Sequence, residues 1–323
     1  MANMSPNKTP IPEQEPNVRN KNFKEVSLGY TLEQALQEAE RCLNCKNPLC
    51  VQGCPVNVPI PQFISKIKEG DMLGAYNILS TANALPAVSG RVCPQENQCE
   101  GKCIRGIKCD SVGIGRLERF VADWALENNV SNTEVAPSNG HKVAVVGSGP
   151  AGLTCAGELA RKGYKVTVFE AFHVAGGVLS YGIPEFRLPK TILDRYKKEL
   201  LALGIKIRYN TSIGTVIGID EMFRDGYKAL FIGTGVWKPK AMGIPGESLG
   251  HVNYAIDYLV DPDVYDLGDN LVVIGAGNSA MDVARTALRK GVRHVSVFCR
   301  RYQTAASVRE VDYAKADGVE FYY

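Results

Sequence analysis

Nowhere in this chain do about 18 apolar residues run together, so no helix long enough to cross a bilayer is encoded. Charge of one sign is lacking too. Against 34 acidic residues stand 37 basic ones, and a formal net charge of +3 is too small to argue for nucleic acid or an anionic membrane as partner. Histidine is scarce: the four present, His141, His173, His251 and His294, are scattered in a way that fits structural or surface roles better than metal ligation. The opening stretch MANMSPNKTPIPEQEPNVRNKNF is polar and proline-rich, without the apolar centre of an export signal. The expected compartment is therefore the cytoplasm, where thiols stay reduced and disulfides are rare.

What the chain has is cysteine, ten in all, seven of them in two knots. Cys42, Cys45, Cys50 and Cys54 read C-x2-C-x4-C-x3-C-P, and Cys93, Cys99 and Cys103 read C-P-x4-C-x3-C. Zinc sites favour two separated pairs closing one tetrahedron, which seven cysteines in two knots suit poorly. The C-x3-C-P ending is ferredoxin-like, and there the cysteine before the proline crosses over to the other cluster. On that pattern Cys42, Cys45 and Cys50 begin one [4Fe–4S] cluster and Cys54 serves a second. Two cubanes need eight ligands, so the eighth is either a non-cysteine side chain or Cys109. Cys155 and Cys299 are expected as small buried apolar residues.

Around the knots the texture is helical. The stretch TLEQALQEAERCL has helical spacing with Thr31 as N-cap, and IPQFISKIKEGDMLGAYNILSTANALP reads as a helical pair broken near Gly70–Asp71. SVGIGRLERFVADWALENN is one more helix. The expected division is an extended arm over 1–25, a helical cluster domain over 26–130 and a linker over 131–140. A first nucleotide domain then covers 141–235 and a second 236–323.

From residue 142 the pattern becomes strand, tight turn, helix, strand, and it occurs twice. In the first copy Gly147, Ser148, Gly149, Pro150, Ala151 and Gly152 form G-x-G-x-x-G, and Glu170 ends the next strand. The first glycine permits the turn, the second lets the backbone approach a pyrophosphate, the third lets helix and strand pack, and the acid accepts from a ribose diol. In the second copy Gly275, Gly277, Asn278, Ser279 and Ala280 repeat the loop with alanine for the third glycine. Its second strand ends not in an acid but in Cys299, Arg300 and Arg301. Paired guanidiniums there bind a 2′-phosphate where a carboxylate would repel it, so this copy reads as built for NADP(H) and not NAD(H), and two such units together point to a flavoprotein. Arg309 is a further, weaker candidate for the same phosphate.

The series RCLNCKNPLCVQGCPVNVPIPQFI, GRVCPQENQCEGKC, VAVVGSGPAGL, YGIPEFRLPK, GAGNSAMD and CRR resembles the small (beta) subunit family of NADPH-dependent glutamate synthase. It is similar also to the large subunit of the bifurcating NADH-dependent reduced ferredoxin:NADP oxidoreductase and, more distantly, to the N-terminal half of dihydropyrimidine dehydrogenase. The resemblance implies an α/β architecture: a helical N-terminal iron–sulfur domain, then two Rossmann-like domains, FAD first and NADP inserted. It implies one cluster on Cys42, Cys45, Cys50 and Cys103 and a second on Cys54, Cys93, Cys99 and Glu118, with Cys109 a bystander. For the flavin it adds Gly177, Arg187, Ile213, Thr234 and Gly235. Electrons would pass from NADPH through FAD and two [4Fe–4S] clusters to a large flavoprotein subunit that makes glutamate from glutamine and 2-oxoglutarate. In the alternative readings the acceptors are ferredoxin and a second flavoprotein, or the chain is a sulfide dehydrogenase-like subunit or a non-catalytic electron-transfer or assembly module. No side chain is expected to act as acid or base, because the cofactors carry the chemistry. In such families the NADP domain continues and the chain then returns to the FAD domain. The expectation is thus a C-terminally truncated chain that binds FAD and NADPH weakly and is itself inactive.

Overall fold

The computed structural model describes residues 3–131, 134–302 and 304–323. Met1 and Ala2 of the expected arm, Asn132 and Thr133 of the expected linker, and Gln303 lie outside the described residues. The helices begin with α1 (Pro16–Arg19), α2 (Leu32–Glu40), α3 (Leu49–Gln52), α4 (Ile60–Lys68), α5 (Met72–Ser80), α6 (Pro86–Val92) and α7 (Ile114–Glu127). They continue with α8 (Pro150–Arg161), α9 (Val178–Tyr181), α10 (Lys190–Ala202), α11 (Ile219–Arg224), α12 (Ala255–Val260), α13 (Asn278–Arg289) and α14 (Val308–Asp317). The strands are β1 (Lys142–Val146), β2 (Lys165–Phe169), β3 (Lys206–Arg208), β4 (Tyr227–Ile232), β5 (Asn270–Ile274), β6 (His294–Phe298) and β7 (Glu320–Tyr322). None of these helices is long and apolar enough to cross a membrane.

The chain divides into two compact units. One comprises Met1–Glu13, Ser27–Glu134 and Asp194–Ala202, and is helical. Thr31 caps α2 through a reciprocal box with Gln34, worth about 1 kcal/mol. Asp71 caps α5 by accepting from the Gly74 amide at 2.8 Å, directly after Gly70 at a φ of 75°, so the pair α4–α5 breaks where a left-handed residue and a cap meet. Phe63, Ile64, Ile67, Leu79, Leu117 and Val121 fill the core between α4, α5 and α7, and the half-buried Cys42, Cys50, Cys54 and Cys103 pack against it.

The other unit comprises Gln14–Val26, Val135–Leu193 and Leu203–Tyr323. It holds two all-parallel sheets, of strand order β3-β2-β1-β4 and β5-β6-β7. β1 is a buried apolar run, as parallel strands require, and α8 packs across it. β5-β6-β7 is packed on one face by α13, α14 and α12. Val272, Ile274 and Phe298 stay exposed, Ile274 at 62%, which is unusual for a parallel sheet. The stretch expected to be an extended arm is not extended throughout: α1 interrupts it, and Arg19 is buried in an ion pair with Asp317 at 2.6 Å.

Candidate functional site

Arg41 follows α2 as its C-cap, and its guanidinium is fully buried. It donates to Glu38 Oε1 at 2.7 Å and to the carbonyls of Ser111 and Asp110 at 3.1 and 2.7 Å. Glu38 also accepts the amides of Thr9 and Gly113, each at 2.7 Å. This clamp ties the backbone just ahead of Cys42 to the backbone just beyond Cys109. Within the loop Asn44 adopts a φ of 50°, a left-handed turn that asparagine tolerates.

Cys42, Cys45, Cys50 and Cys103 line one pocket of about 400 Å³, its open mouth included, against Ile60, Ile64, Val112 and Ile114. Burial pushes the Cys50 thiol up to about 11, and Cys103, Cys42 and Cys45 each add to the shift. Burial likewise raises Cys42, with Cys103 and Cys45 adding to it. These four thiols share one electrostatic neighbourhood, although Cys103 lies far along the chain from the other three.

Cys54, Cys93, Cys99 and Glu118 form a second. Burial, with Glu118 and Cys54 adding to it, pushes Cys93 up to about 12. Cys99 is raised by burial, then by Glu100, Glu118 and Cys54. Glu118, on α7, is itself buried, which lifts its carboxyl to about 7 against hydrogen bonds from Ser89 Oγ at 2.6 Å and Asn83 Nδ2 at 2.7 Å, both to Oε1. Cys109 joins neither set and instead donates to the Arg105 carbonyl at 3.2 Å. Among the described residues no three His, Cys, Asp or Glu side chains converge on a single ion position; the first four thiols line a pocket instead.

The first glycine loop joins β1 to α8. Gly147, at a φ of 98°, passes so close to the loop after β4 that an added Cβ would lie 2.5 Å from the Gly233 carbonyl oxygen and 3.1 Å from Thr234 Cα. At Gly152 a Cβ would meet the Gly147 carbonyl oxygen at 1.9 Å, whereas at Gly149 it would meet nothing within 4 Å. The opening lies at the N-terminus of α8, with Pro150 and Ala151 in its first turn, where unpaired amides favour an anion. Gly177, at a φ of 54°, closes on Gly149 from the other side.

Glu170 is buried and accepts from the amides of Ser148 and Phe172, each at 2.9 Å, and from Ser148 Oγ. Its carboxylate thus tethers the loop to the end of β2. Ile213 packs over Phe169, Met222 and Tyr227, and Gly235 follows β4 at a φ of 78°. Arg187 is turned to Asp282 and Glu310, at 2.7 and 3.3 Å.

Phe172, Tyr181 and Trp237 form an aromatic cluster beside Glu170, with ring centroids 4.9 to 6.3 Å apart. Sequence reading misses it, as it misses the Arg41 clamp; the only local signal for either is adjacency to a motif.

In the second loop Gly275 has a φ of 107° and Gly277 caps α13. The Ala306 amide donates to the Ala276 carbonyl at 2.9 Å and the Ser307 amide to Asn278 Oδ1 at 3.0 Å, folding the segment before α14 onto the loop. Ser279 is exposed at the start of α13 and Ala280 is buried in its packing. Arg300 and Arg301 stand exposed beyond the end of β6. Arg309 instead donates to Tyr313 Oη from Nε at 2.9 Å and Nη2 at 2.8 Å.

Residues 19–130 match the family described as "Dihydroprymidine dehydrogenase domain II, 4Fe-4S cluster", and residues 141–323 the family described as "Pyridine nucleotide-disulphide oxidoreductase". The small chain of NADPH glutamate synthase from Escherichia coli (strain K12) is 36% identical over 94% of this chain and 68% of its own length. The beta subunit of the NADP(+)-dependent formate dehydrogenase of Moorella thermoacetica is 38% identical over 85% of this chain and 43% of its own. Among solved structures, 2-naphthoyl-CoA reductase aligns over 83% of this chain and 38% of its own at 22% identity and a TM-score of 0.54, a likeness of fold. With an iron–sulfur module followed by a pyridine-nucleotide module, and that identity over nearly its whole length, the chain belongs to the NADPH glutamate synthase small-chain family, oxidoreductases that use NADPH, FAD and iron–sulfur clusters.

Proposed function

We propose that the chain is the electron-input part of an NADPH-dependent glutamate synthase, holding FAD on its first glycine loop, NADPH on its second and two [4Fe–4S] clusters in its helical unit. The observation that carries this reading is the sorting of seven cysteines and Glu118 into two neighbourhoods of four. Cys42, Cys45, Cys50 and Cys103 would hold one cluster, and Cys54, Cys93, Cys99 and Glu118 the other. A cubane takes its ligands at the corners of a cage, which suits thiols that line a pocket better than one zinc ion does. The expected domain limits stand as part of the reading: a cluster domain over 26–130 and nucleotide domains over 141–235 and 236–323.

When bound, the flavin would exchange one two-electron hydride for single electrons, and each cluster would carry one electron at a time. The protein's own residues position and exclude. The space over Gly149 and the first turn of α8 take the pyrophosphate, Gly177 backs Gly149 from the other side, and Arg300 and Arg301 offer a 2′-phosphate two bidentate partners. Thr234, Gly235 and Ile213 are assigned to the flavin's surroundings, as is Arg187 through its hold on α13. The bare face of β5-β6-β7 supports weak retention of FAD and NADPH by this chain and no turnover of its own. Thiols in this number imply a reducing compartment.

The acceptor is proposed to be a large subunit that makes glutamate from glutamine and 2-oxoglutarate. Similarity to a formate dehydrogenase subunit favours a second reading, with the same input half serving another acceptor. Tagging the protein in its own host and isolating it anaerobically separates the two. A very large companion with an N-terminal cysteine nucleophile bears out the first; a different redox enzyme bears out the second, and no companion at all contradicts both.

A further inference from the structure

The surface around the first thiol set is apolar and positive. Leu43, Leu49 and Ile104 line the same pocket as Cys42, Cys45, Cys50 and Cys103, and all three are exposed. Ile107, in the same turn as Ile104, is 78% exposed. Single exposed apolar residues need no explanation, but four in two short segments around one pocket make a patch.

Lysines ring it. Lys46 is exposed between the pocket-lining Cys45 and Pro48, and Lys68 Nζ donates to the Cys42 carbonyl at 2.8 Å. Lys102 lies over Gly53, its Cγ 2.8 Å from where a Cβ there would stand. Residues 42–57 and 101–109 contain Lys46, Lys102, Arg105 and Lys108 but no aspartate or glutamate. Of the flanking acids, Glu38 is buried on Arg41, Glu69 pairs with Lys66 and Glu100 with Lys8, while Glu40 and Asp110 are exposed. The second set is enclosed by comparison, Cys99 and Glu118 both being buried.

We infer that this collar is where the electron-accepting protein docks, and that the docking face is apolar at its centre and acidic at its rim. The inference rests on the cluster assignment above. Electrons leave from the site a partner can approach most closely, which is the first set and not the buried second. An apolar centre excludes water at the contact, and rim charges steer the encounter, raising association about 10- to 1,000-fold in a salt-dependent way.

The test uses the chain with its clusters rebuilt anaerobically, then reduced with dithionite and freed of excess. Stopped-flow follows electron transfer to two probes, the acidic cytochrome b5 and the basic cytochrome c. The expected result is fast reduction of cytochrome b5 at low salt, slowing about tenfold as salt screens the charges. In the variant K46E/K102E/K108E the rate to cytochrome b5 falls about tenfold and that to cytochrome c rises. Iron and sulfide contents are measured first on both proteins. Full contents with rates indifferent to salt and to charge reversal, or a self-associated chain with these lysines covered, overturn the collar alone. A chain that takes up no cluster overturns the cluster assignment and the collar with it.

Discussion

Arg187 Nη1 donates to both carboxylate oxygens of Asp282, at 2.9 and 2.7 Å, so the loop after α9 is fastened to the helix that opens the second glycine unit. The pair is one end of a buried chain. Glu310 links Arg187 to Arg285, and Asp317 links Arg285 to Arg289 and Arg19. Phe186 and Tyr313 offer ring faces to these guanidiniums. A buried ion pair adds little net stability, but removing one partner strands the other charge. Arg187→Met is therefore expected to cost about 3–5 kcal/mol in urea unfolding, and the double variant with Asp282→Asn to recover most of it. An additive double variant would show that the two do not act as a pair.

Glu118 carries a pH dependence. Its carboxyl stands near 7 when folded because of burial, against an ordinary value of 4.5. A raised folded value means the group's stabilising contribution is full below pH 4.5 and is lost as pH rises through 7. For the cluster-free chain, Glu118→Gln, which keeps an acceptor for Ser89 and Asn83, should be indistinguishable from the parent at pH 4.5 and the more stable by about 3 kcal/mol at pH 8. Melting curves at the two pH values decide it. An equal gain at both would assign the effect to packing.

The glycine loop separates a folding role from a ligand role. A methyl at Gly152 collides with the Gly147 carbonyl, so Gly152→Ala should destabilise the chain by about 1–3 kcal/mol. At Gly149 the same methyl meets only open space. Gly149→Ala should therefore melt like the parent and yet lose FAD in a fluorescence titration. If it bound FAD as the parent does, the opening would not be the pyrophosphate site.

The proposed role of Arg300 and Arg301 as partners of a 2′-phosphate is tested by the choice of nicotinamide dinucleotide. Alanine at both is expected to weaken NADPH binding about tenfold or more while leaving NADH binding where it was, since only NADPH carries the 2′-phosphate. Equal losses for both would make the arginines part of the strand end and nothing more. Arg309, held on Tyr313, should contribute little by comparison.

What could be read from the chain alone divides by distance along it. Thr31 with Gln34, the break at Gly70 and Asp71, and both glycine loops are legible because cap, turn and loop are local events within a few residues. The sorting of Cys103 with Cys42, Cys45 and Cys50 is not local, and spacing alone leaves the eighth ligand open between a non-cysteine side chain and Cys109, with Glu118 named only by the family resemblance. Glu38 and Arg41 look like ordinary helix charges until the fold brings the Ser111 carbonyl, 70 positions on, to the guanidinium. Arg187 reads as a flavin contact in its motif, and its partner Asp282 lies 95 positions away. Phe172, Tyr181 and Trp237 carry no motif and meet only because the segments after β2 and β4, which flank β1, converge at one end of the sheet.

The helical unit is proposed to hold two cubanes on two sets of four ligands. The most direct measurement is iron and acid-labile sulfide per chain after anaerobic reconstitution, for the parent and for Cys103→Ser and Cys99→Ser. The account predicts about eight of each in the parent and about four in either variant. Four or fewer in the parent, or zinc in their place, would contradict it.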